Sequence, residues 1–323
     1  MLRHFDVSFK FTPKISTKSR NIIPYKGGLH IMASFKTKDP KETSVTIPCA
    51  TILFRDSNPD ADTFDLAIKY LEKRCKEEFG VDIINKSKQI EGMADFDGAL
   101  QTMIKMNWNI ILHSCLFHYD QALNVHVNKE LKPCYQKNGS SFDFEFYKYI
   151  RKYHALPLLP VNLVPIAWNT LAKLYKKITP LSYHNQCKRF ILYHQSQWMR
   201  SASFIKDWNC YRSTTRTNNP LECRNSIINA RFGSHPFLFD FVWKLSEWYA
   251  DAASDYDQYK SHGTGNVKSK REILKEQVLN DLWDFIDQNQ KTRDVLLFLE
   301  KASIALNSKT SEQTLRKLTR NSL

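Results

Sequence analysis

Hydrophobic and polar positions alternate strictly in "HFDVSFKF". Phe5, Val7, Phe9 and Phe11 fall on one side and Asp6, Ser8 and Lys10 on the other, the period-two pattern of a strand. "LHIMASF" and "SVTIPCATILF" are β-branched apolar runs bounded by turn or charged residues, and they predict two more strands. No helical period separates the three, so a meander is expected. The period then changes. In "SNPDADTFDLAIKYLEKRCKEEFG" the apolar positions Phe64, Ile68, Leu71, Cys75 and Phe79 recur at helical spacing, with Asn58 or Asp60 to cap the start and Gly80 to end it. A short strand from Gln89 to Ala94 follows, then a helix opened by Asp97 or Gly98, a strand at "NIILHSC" and a helix at "LFHYDQALNVHVNKEL".

The order β-β-β-α-β-α-β-α predicts an α/β (α+β) fold, a mixed sheet with helices on its faces. Residues 131–215 differ: Tyr, Trp, Leu and Lys recur at helical spacing, broken at Pro157, Pro160 and Pro165, as in an all-helical insertion. Helices resume at Pro220 and across Pro236 to Tyr259; "KSHGTGNVKSK" reads as a linker. The expected organisation is therefore 1–130 as the first part of a sheet core, 131–215 as the insertion, 216–259 as the final core helices, and 260–323 as linker and charged helical tail.

Composition narrows the function. The 323 residues can bury a real core, and 13% aromatics argue against disorder. Lys and Arg number 47 against 33 Asp and Glu, a net charge of +14, which favours a polyanionic partner, nucleic acid first. Seven scattered cysteines without a CxxC fit a reducing compartment better than a disulfide framework. No apolar run approaches the ~18 residues of a membrane span, and no signal-peptide core opens the chain.

Three carboxylates stand where a divalent-metal site would be built from distant segments. Asp6 is on the first strand, Asp95 ends the fourth predicted strand, and Glu222 is in the first turn of the helix after the insertion. Each has a structural alternative. Asp6 suits a solvated strand position, and Asp95 in "DFDG" suits a turn or cap. With Asn219 as cap and Pro220 at the first helical position, Glu222 sits where a capping box would use it.

Four motifs carry a family resemblance. "DVSFKFTP" (Asp6 to Pro13), "ADFDGAL" (Ala94 to Leu100), "SCLFHYDQAL" (Ser114 to Leu123) and "RTNNPLECRNSIINARFG" (Arg216 to Gly233) resemble, in order, motifs of the transposase domain of Mutator-like elements. The resemblance implies a ribonuclease H-like fold with a helical insertion before the last acidic helix. It implies a DDE triad of Asp6, Asp95 and Glu222 binding two Mg²⁺ or Mn²⁺ ions. The implied reaction is nicking of transposon ends and strand transfer into target DNA, by a nuclear homo-oligomer with no small-molecule cofactor. Val7 and Ser8 replace the family's Gly and Thr, Asp97 replaces a Glu, and Pro220 stands where His is common. The family's upstream sequence-reading domain does not precede the first strand, as expected of a truncated or decayed copy, a fragment of a longer product or a host-adopted remnant. Two alternatives stand beside transposition: a non-catalytic DNA-binding or scaffolding protein, and another ribonuclease H-like nuclease.

Further candidates surround the triad. Arg216, Asn218, Asn219 and Arg224 lie around Glu222 and suit DNA phosphate oxygens, or loop and cap hydrogen bonds. Asp97, Cys115 and His118 are accessory candidates. A zinc site at Cys115 and His118 would need two more ligands, from Cys210, Cys223, His113 or His126, and the alternative is a buried Cys beside a hydrogen-bonded His. "FYKYIRKYH" and "KLYKKI" mix cations with aromatics, as a base-stacking surface or as a solvated helix face over an aromatic core. "KSKRE" at Lys268 is a nuclear-import candidate or a helix-entry charge cluster.

Overall fold

The computed structural model describes residues 2–8, 14–16, 21–22, 25–55, 59–84, 87, 89–136, 141–213, 216, 230–233, 235–265, 267–307 and 310–320. In chain order the elements begin β1 Leu2–Ser8, β2 Ile15–Ser16, β3 Asn21–Ile22, β4 Gly27–Phe35, β5 Val45–Phe54, α1 Ala61–Phe79, β6 Ile90–Ala94, α2 Gly98–Asn107 and β7 Ile110–Ser114. Helices follow: α3 Leu116–Tyr135, α4 Phe144–Ala155, α5 Val164–Ile178, α6 His184–Trp198, α7 Ala202–Trp208, α8 Leu238–His262, α9 Lys270–Gln288, α10 Thr292–Leu306 and α11 Glu312–Arg320. The helix expected to open at Pro220 lies outside the described residues.

The chain divides into two units, the first made of Met1–Cys115 and Thr217–Val267. Its sheet has the order β5-β4-β1-β6-β7. β4 runs antiparallel to both β1 and β5, so the expected meander is present; β6 and β7 add in parallel beyond β1. β2 and β3 form a separate small hairpin. At two residues each they are too short for a sequence period to announce them. Pro48 is tolerated in β5 because that strand is an edge strand and the proline sits at a bulge, where pairing passes from Ile31↔Ala50 to Met32↔Pro48.

Alternation along β4 feeds two layers. Leu29 and Ile31 pack with Phe64 and Ile68 of α1 and with Leu100, Met103 and Ile104 of α2. Met32, on the opposite side of the pleat, packs with Phe241 and Trp248 of α8. Helix α1 has the ends its sequence predicted. The Asp60 carboxylate accepts from Thr63 N at 2.8 Å, and Gly80 takes the left-handed conformation at φ 66°. After α8 the segment read as a linker is docked chain. Gly265 N donates to Glu42 Oε2 at 2.8 Å, and Val267 bridges Glu42. A Cβ on Gly265 would lie 2.2 Å from the Thr43 carbonyl oxygen, so glycine serves close approach there rather than flexibility.

The second unit is helical and comprises Leu116–Arg216 and Lys268–Leu323. Leu116 N donates to the Arg216 carbonyl at 2.9 Å, so the first of these segments starts and ends at one point. The units divide the chain after residues 115, 216 and 267, rather than at the expected 130, 215 and 259. The reason is burial. α3 contributes Tyr119, Leu123, Val127 and Leu131 to the helical core, and the charged tail contributes Val278, Leu282, Trp283, Phe298 and Leu299. Trp283 Nε1 donates to the Leu158 carbonyl at 2.9 Å, and Arg212 pairs with Asp284 and Asp287 at 2.7 and 2.6 Å. In "FYKYIRKYH" the rings of Phe146, Tyr149 and Tyr153 are buried, so these aromatics fill the core instead of offering a stacking surface.

A polar chain runs through that core. Tyr119 Oη donates to the Tyr153 carbonyl at 2.9 Å and so can accept from His194 Nε2, also at 2.9 Å. That fixes His194 as the Nε2–H tautomer. His154 Nδ1 meets the Asp120 carboxylate at 2.8 Å. Burial holds His154 below its ordinary pKa despite the Asp120 charge, and pushes His194 down to about 3.

Candidate active site

The parallel half of the sheet brings two predicted acids to neighbouring backbone positions. β1 and β6 pair from Leu2↔Glu91 to Phe5↔Ala94. The next residue on each strand is Asp6 and Asp95. The carboxyl ends of parallel strands are where open α/β sheets bind ligands, because the loops there diverge and leave a crevice. Asp6 lies within β1, paired across the antiparallel ladder with His30. Its side chain lies outside what is described.

The backbone around Asp95 is tied down. Its carbonyl accepts from Gln101 Nε2 at 2.6 Å, and the same amide reaches Ser114 Oγ at 3.2 Å. Cys115 N donates to the Ala94 carbonyl at 3.1 Å. The ends of β6 and β7 are thus joined through both main chain and side chain, and Asp95 emerges half-buried from a fixed point. Asp97 has a different task. Its carboxylate accepts from Leu100 N at 2.8 Å as the N-cap of α2. The two acids of "DFDG" divide the alternatives between them: Asp97 takes the cap.

His30 is a site neighbour that the sequence reading did not single out. It is 1% exposed, its Nδ1 meets Thr51 Oγ1 at 3.1 Å, and Thr51 Oγ1 meets Tyr249 Oη at 3.1 Å. Burial pushes its pKa down to about 3, so it is a neutral imidazole opposite Asp6. The available signal was a titratable residue in the middle of the apolar run "LHIMASF".

Arg216 is used inside the helical unit. Its guanidinium pairs with Glu276, donates to the Ser213 carbonyl at 2.9 Å and lies over the Trp283 ring at 5.7 Å. The side chain is 9% exposed, so the cation expected to hold phosphate is occupied by an internal partner. Glu222, Asn218, Asn219 and Arg224 lie outside the described residues.

The metal-ligand candidates separate by chemistry. Asp6, Asp95 and Glu222 are an all-oxygen set, which suits Mg²⁺ or Mn²⁺ and not zinc. Of the three, Asp95 has a described side chain, half-buried and not used as the α2 cap, which fits a metal ligand. Cys115 is fully buried, and His118 is half-buried in the first turn of α3. Cys210 Sγ meets the Trp208 carbonyl at 3.7 Å, and His126 stacks on Tyr193 with ring centroids 3.4 Å apart. No group of three or more His, Cys, Asp or Glu side chains able to hold a metal occurs among the described residues. Nor does any helix among them have the length and apolarity to cross a membrane.

No family model and no curated protein matches the chain. Among solved structures it is similar to one described as "Drosophila P element transposase strand transfer complex", at 13% identity and a TM-score of 0.27, over 96% of this chain and 77% of that one. A likeness of that size is too slight to argue fold or function from.

Proposed function

We propose that this chain is the ribonuclease H-like core of a DDE-type transposase of the Mutator-like kind, cleaving transposon-end DNA and joining it to a target. The observation that carries the reading is the β1–β6 register, in which Asp6 and Asp95 follow the last parallel pair, Phe5↔Ala94. The mixed sheet, interrupted by an all-helical segment before the Glu222 region, supports it as well.

In this reading Asp6, Asp95 and Glu222 would hold two Mg²⁺ or Mn²⁺ ions, which supply an activated attacking oxygen and a stabilised leaving oxygen. Asp95 contributes a carboxylate at a fixed strand end, held there by Gln101 and the Cys115–Ala94 hydrogen bond. Water adds to phosphorus at the transposon end and the 3′ oxygen leaves, taking a proton to become a 3′-hydroxyl. That hydroxyl then attacks a target phosphodiester, displacing a second 3′ oxygen, so one ester bond forms as another breaks. The reading places the chain in the nucleus as a multimer on paired DNA ends.

The test is an oligonucleotide cleavage and strand-transfer assay with Mg²⁺ or Mn²⁺. Joined product is expected from the natural chain. Asp95→Asn is expected to lower it by at least about a hundredfold, as removal of a group stabilising transition-state charge does. Joined product that survives this substitution overturns the site. Cleavage without joining would make the chain a different nuclease, and salt-sensitive DNA binding without cleavage would make it a non-catalytic binder.

A further inference from the structure

The positive charge of the chain is not spread over the two units. The helical unit, Leu116–Arg216 with Lys268–Leu323, holds 26 Lys and Arg against 13 Asp and Glu. The sheet unit holds 21 against 20. The helical unit therefore carries +13 of the +14, and the sheet unit is close to neutral.

Within the helical unit the bias concentrates further. Residues 146–206 contain ten Lys and Arg and no Asp or Glu. At the chain's average, a stretch of 61 residues would hold about six acids. Several of the ten cations are used internally. Lys148 pairs with Glu145 at 2.6 Å, Lys152 with Glu300 at 3.0 Å, and Arg189 with Glu130 at 2.6 Å. Arg200 lies over Phe204 at 5.1 Å and donates to Gln197 at 2.7 Å.

Four of the others gather at one end of a helix pair. Lys173, Lys176 and Lys177 stand at i, i+3 and i+4 in the last turns of α5, on one face, and Lys188 is in the early turns of α6. All four are exposed, and among the described residues none has an ion pair. The α5–α6 connection is tied together there: His184 Nε2 donates to the Thr179 carbonyl at 3.0 Å, Thr179 Oγ1 meets Cys187 Sγ at 3.4 Å, and Tyr175 stands edge-on to His184 at 5.5 Å. A solvated helix face of ordinary composition would carry acids among these lysines; this one has none.

We propose that the end of the α5–α6 pair bearing Lys173, Lys176, Lys177 and Lys188 is a docking surface for the phosphate backbone of duplex DNA. The choice of duplex over single strand comes from the aromatics. Phe146, Tyr149 and Tyr153 of the neighbouring basic run are buried, and Tyr175 is half-buried against His184. The rings beside these cations, Tyr175 and Tyr183, are half-buried and neither is fully exposed to stack on unpaired bases, so the surface reads charge and not sequence. The proposal rests on the reading of the partner as DNA and adds to it which part of the chain holds the duplex.

The experiment is fluorescence anisotropy of the full chain on two duplexes of unrelated sequence, across a salt series. Lys173→Gln, Lys176→Gln and Lys177→Gln are combined in one variant. Lys69→Gln, Lys73→Gln and Lys76→Gln on α1 form a control of equal charge change, and melting curves establish that both fold. The expected result is a log–log salt slope shallower by about 2–3 in the α5 variant, with equal loss on both sequences and an unchanged control. An unchanged slope in the α5 variant, or an equal change in the control, overturns the proposal. A larger loss on duplex RNA than on duplex DNA replaces the partner. Strand transfer is measured on the same preparations. If the natural chain joins DNA while the α5 variant binds as before, the surface falls and the transposase reading stands. If the natural chain binds duplex through this face but neither cleaves nor joins, the surface stands and the transposase reading falls.

Discussion

Asp95 and Asp97 are two residues apart, and only their surroundings distinguish them. Asp97 sits where the first free amides of α2 need an acceptor, and its carboxylate meets Leu100 N at 2.8 Å. Asp95 sits one residue past the last β6 pairing, with its backbone held by Gln101. Asp97→Ala is expected to cost about 1 kcal/mol of stability through the lost cap. A urea titration checks this, and the strand-transfer assay should show joining retained. Abolished joining with unchanged stability would give Asp97 the chemical role instead. The sequence could offer both acids for both tasks, because caps and metal ligands favour the same short carboxylate at the same kind of strand-to-helix turn. Arg216 shows the converse: its place beside "TNN" suggested a phosphate contact, but Glu276, sixty residues on in the chain, holds its guanidinium. No local pattern encodes that partner.

At the level of elements, β1, β4, β5, α1, β6, α2, β7 and α3 were legible because each is long enough to show its period and most have a recognisable end. Two-residue strands have no period, so β2 and β3 were not legible. The region after Gly263 was misread for a physical reason: Gly and Ser spacing resembles a flexible linker, yet Gly265 is there because a side chain would strike Thr43. The charged tail hid a core element in the same way. α9 has an acidic face, with Asp284 and Asp287 exposed and Asp281 half-buried, and a buried face, Val278, Leu282, Trp283 and Ile286. Trp283→Ala should destabilise the protein by about 3–5 kcal/mol, since it opens a cavity and orphans the Leu158 carbonyl. Urea unfolding followed by helical circular dichroism measures it; a change below about 0.5 kcal/mol would mean the tail is an accessory after all.

For the molecule as a whole, two units imply two stabilities, and the helical one should be acid-sensitive through two buried histidines, as the sheet unit should be through His30. His154 and His194 are both fully buried, with folded pKa values below the ordinary 6.5 of an unfolded chain. Above that value both states are neutral and stability does not depend on these groups. Below it the unfolded chain binds protons that the folded core refuses, so stability falls as pH falls, for His194 down to about 3. The limiting slope is about 1.4 kcal/mol per pH unit for each histidine. Hydrogen exchange of α3 to α6 between pH 7.5 and 5 should show the loss, and His194→Gln should flatten it; a flat profile in the natural chain would refute the linkage. By itself the sequence determined the mixed α/β class, the order of the main elements, the helical segment after α3, and a surplus of positive charge. Those depend on period, end signals and composition, which are local or additive. Only the tertiary structure decided that α3 and the tail belong to one helical unit, that this unit carries the charge, that Arg216 is spent on Glu276, and that Asp6 and Asp95 are neighbours across β1 and β6. Each of these is a pairing between distant segments, fixed by strand register and shared burial, and no stretch of chain contains both partners.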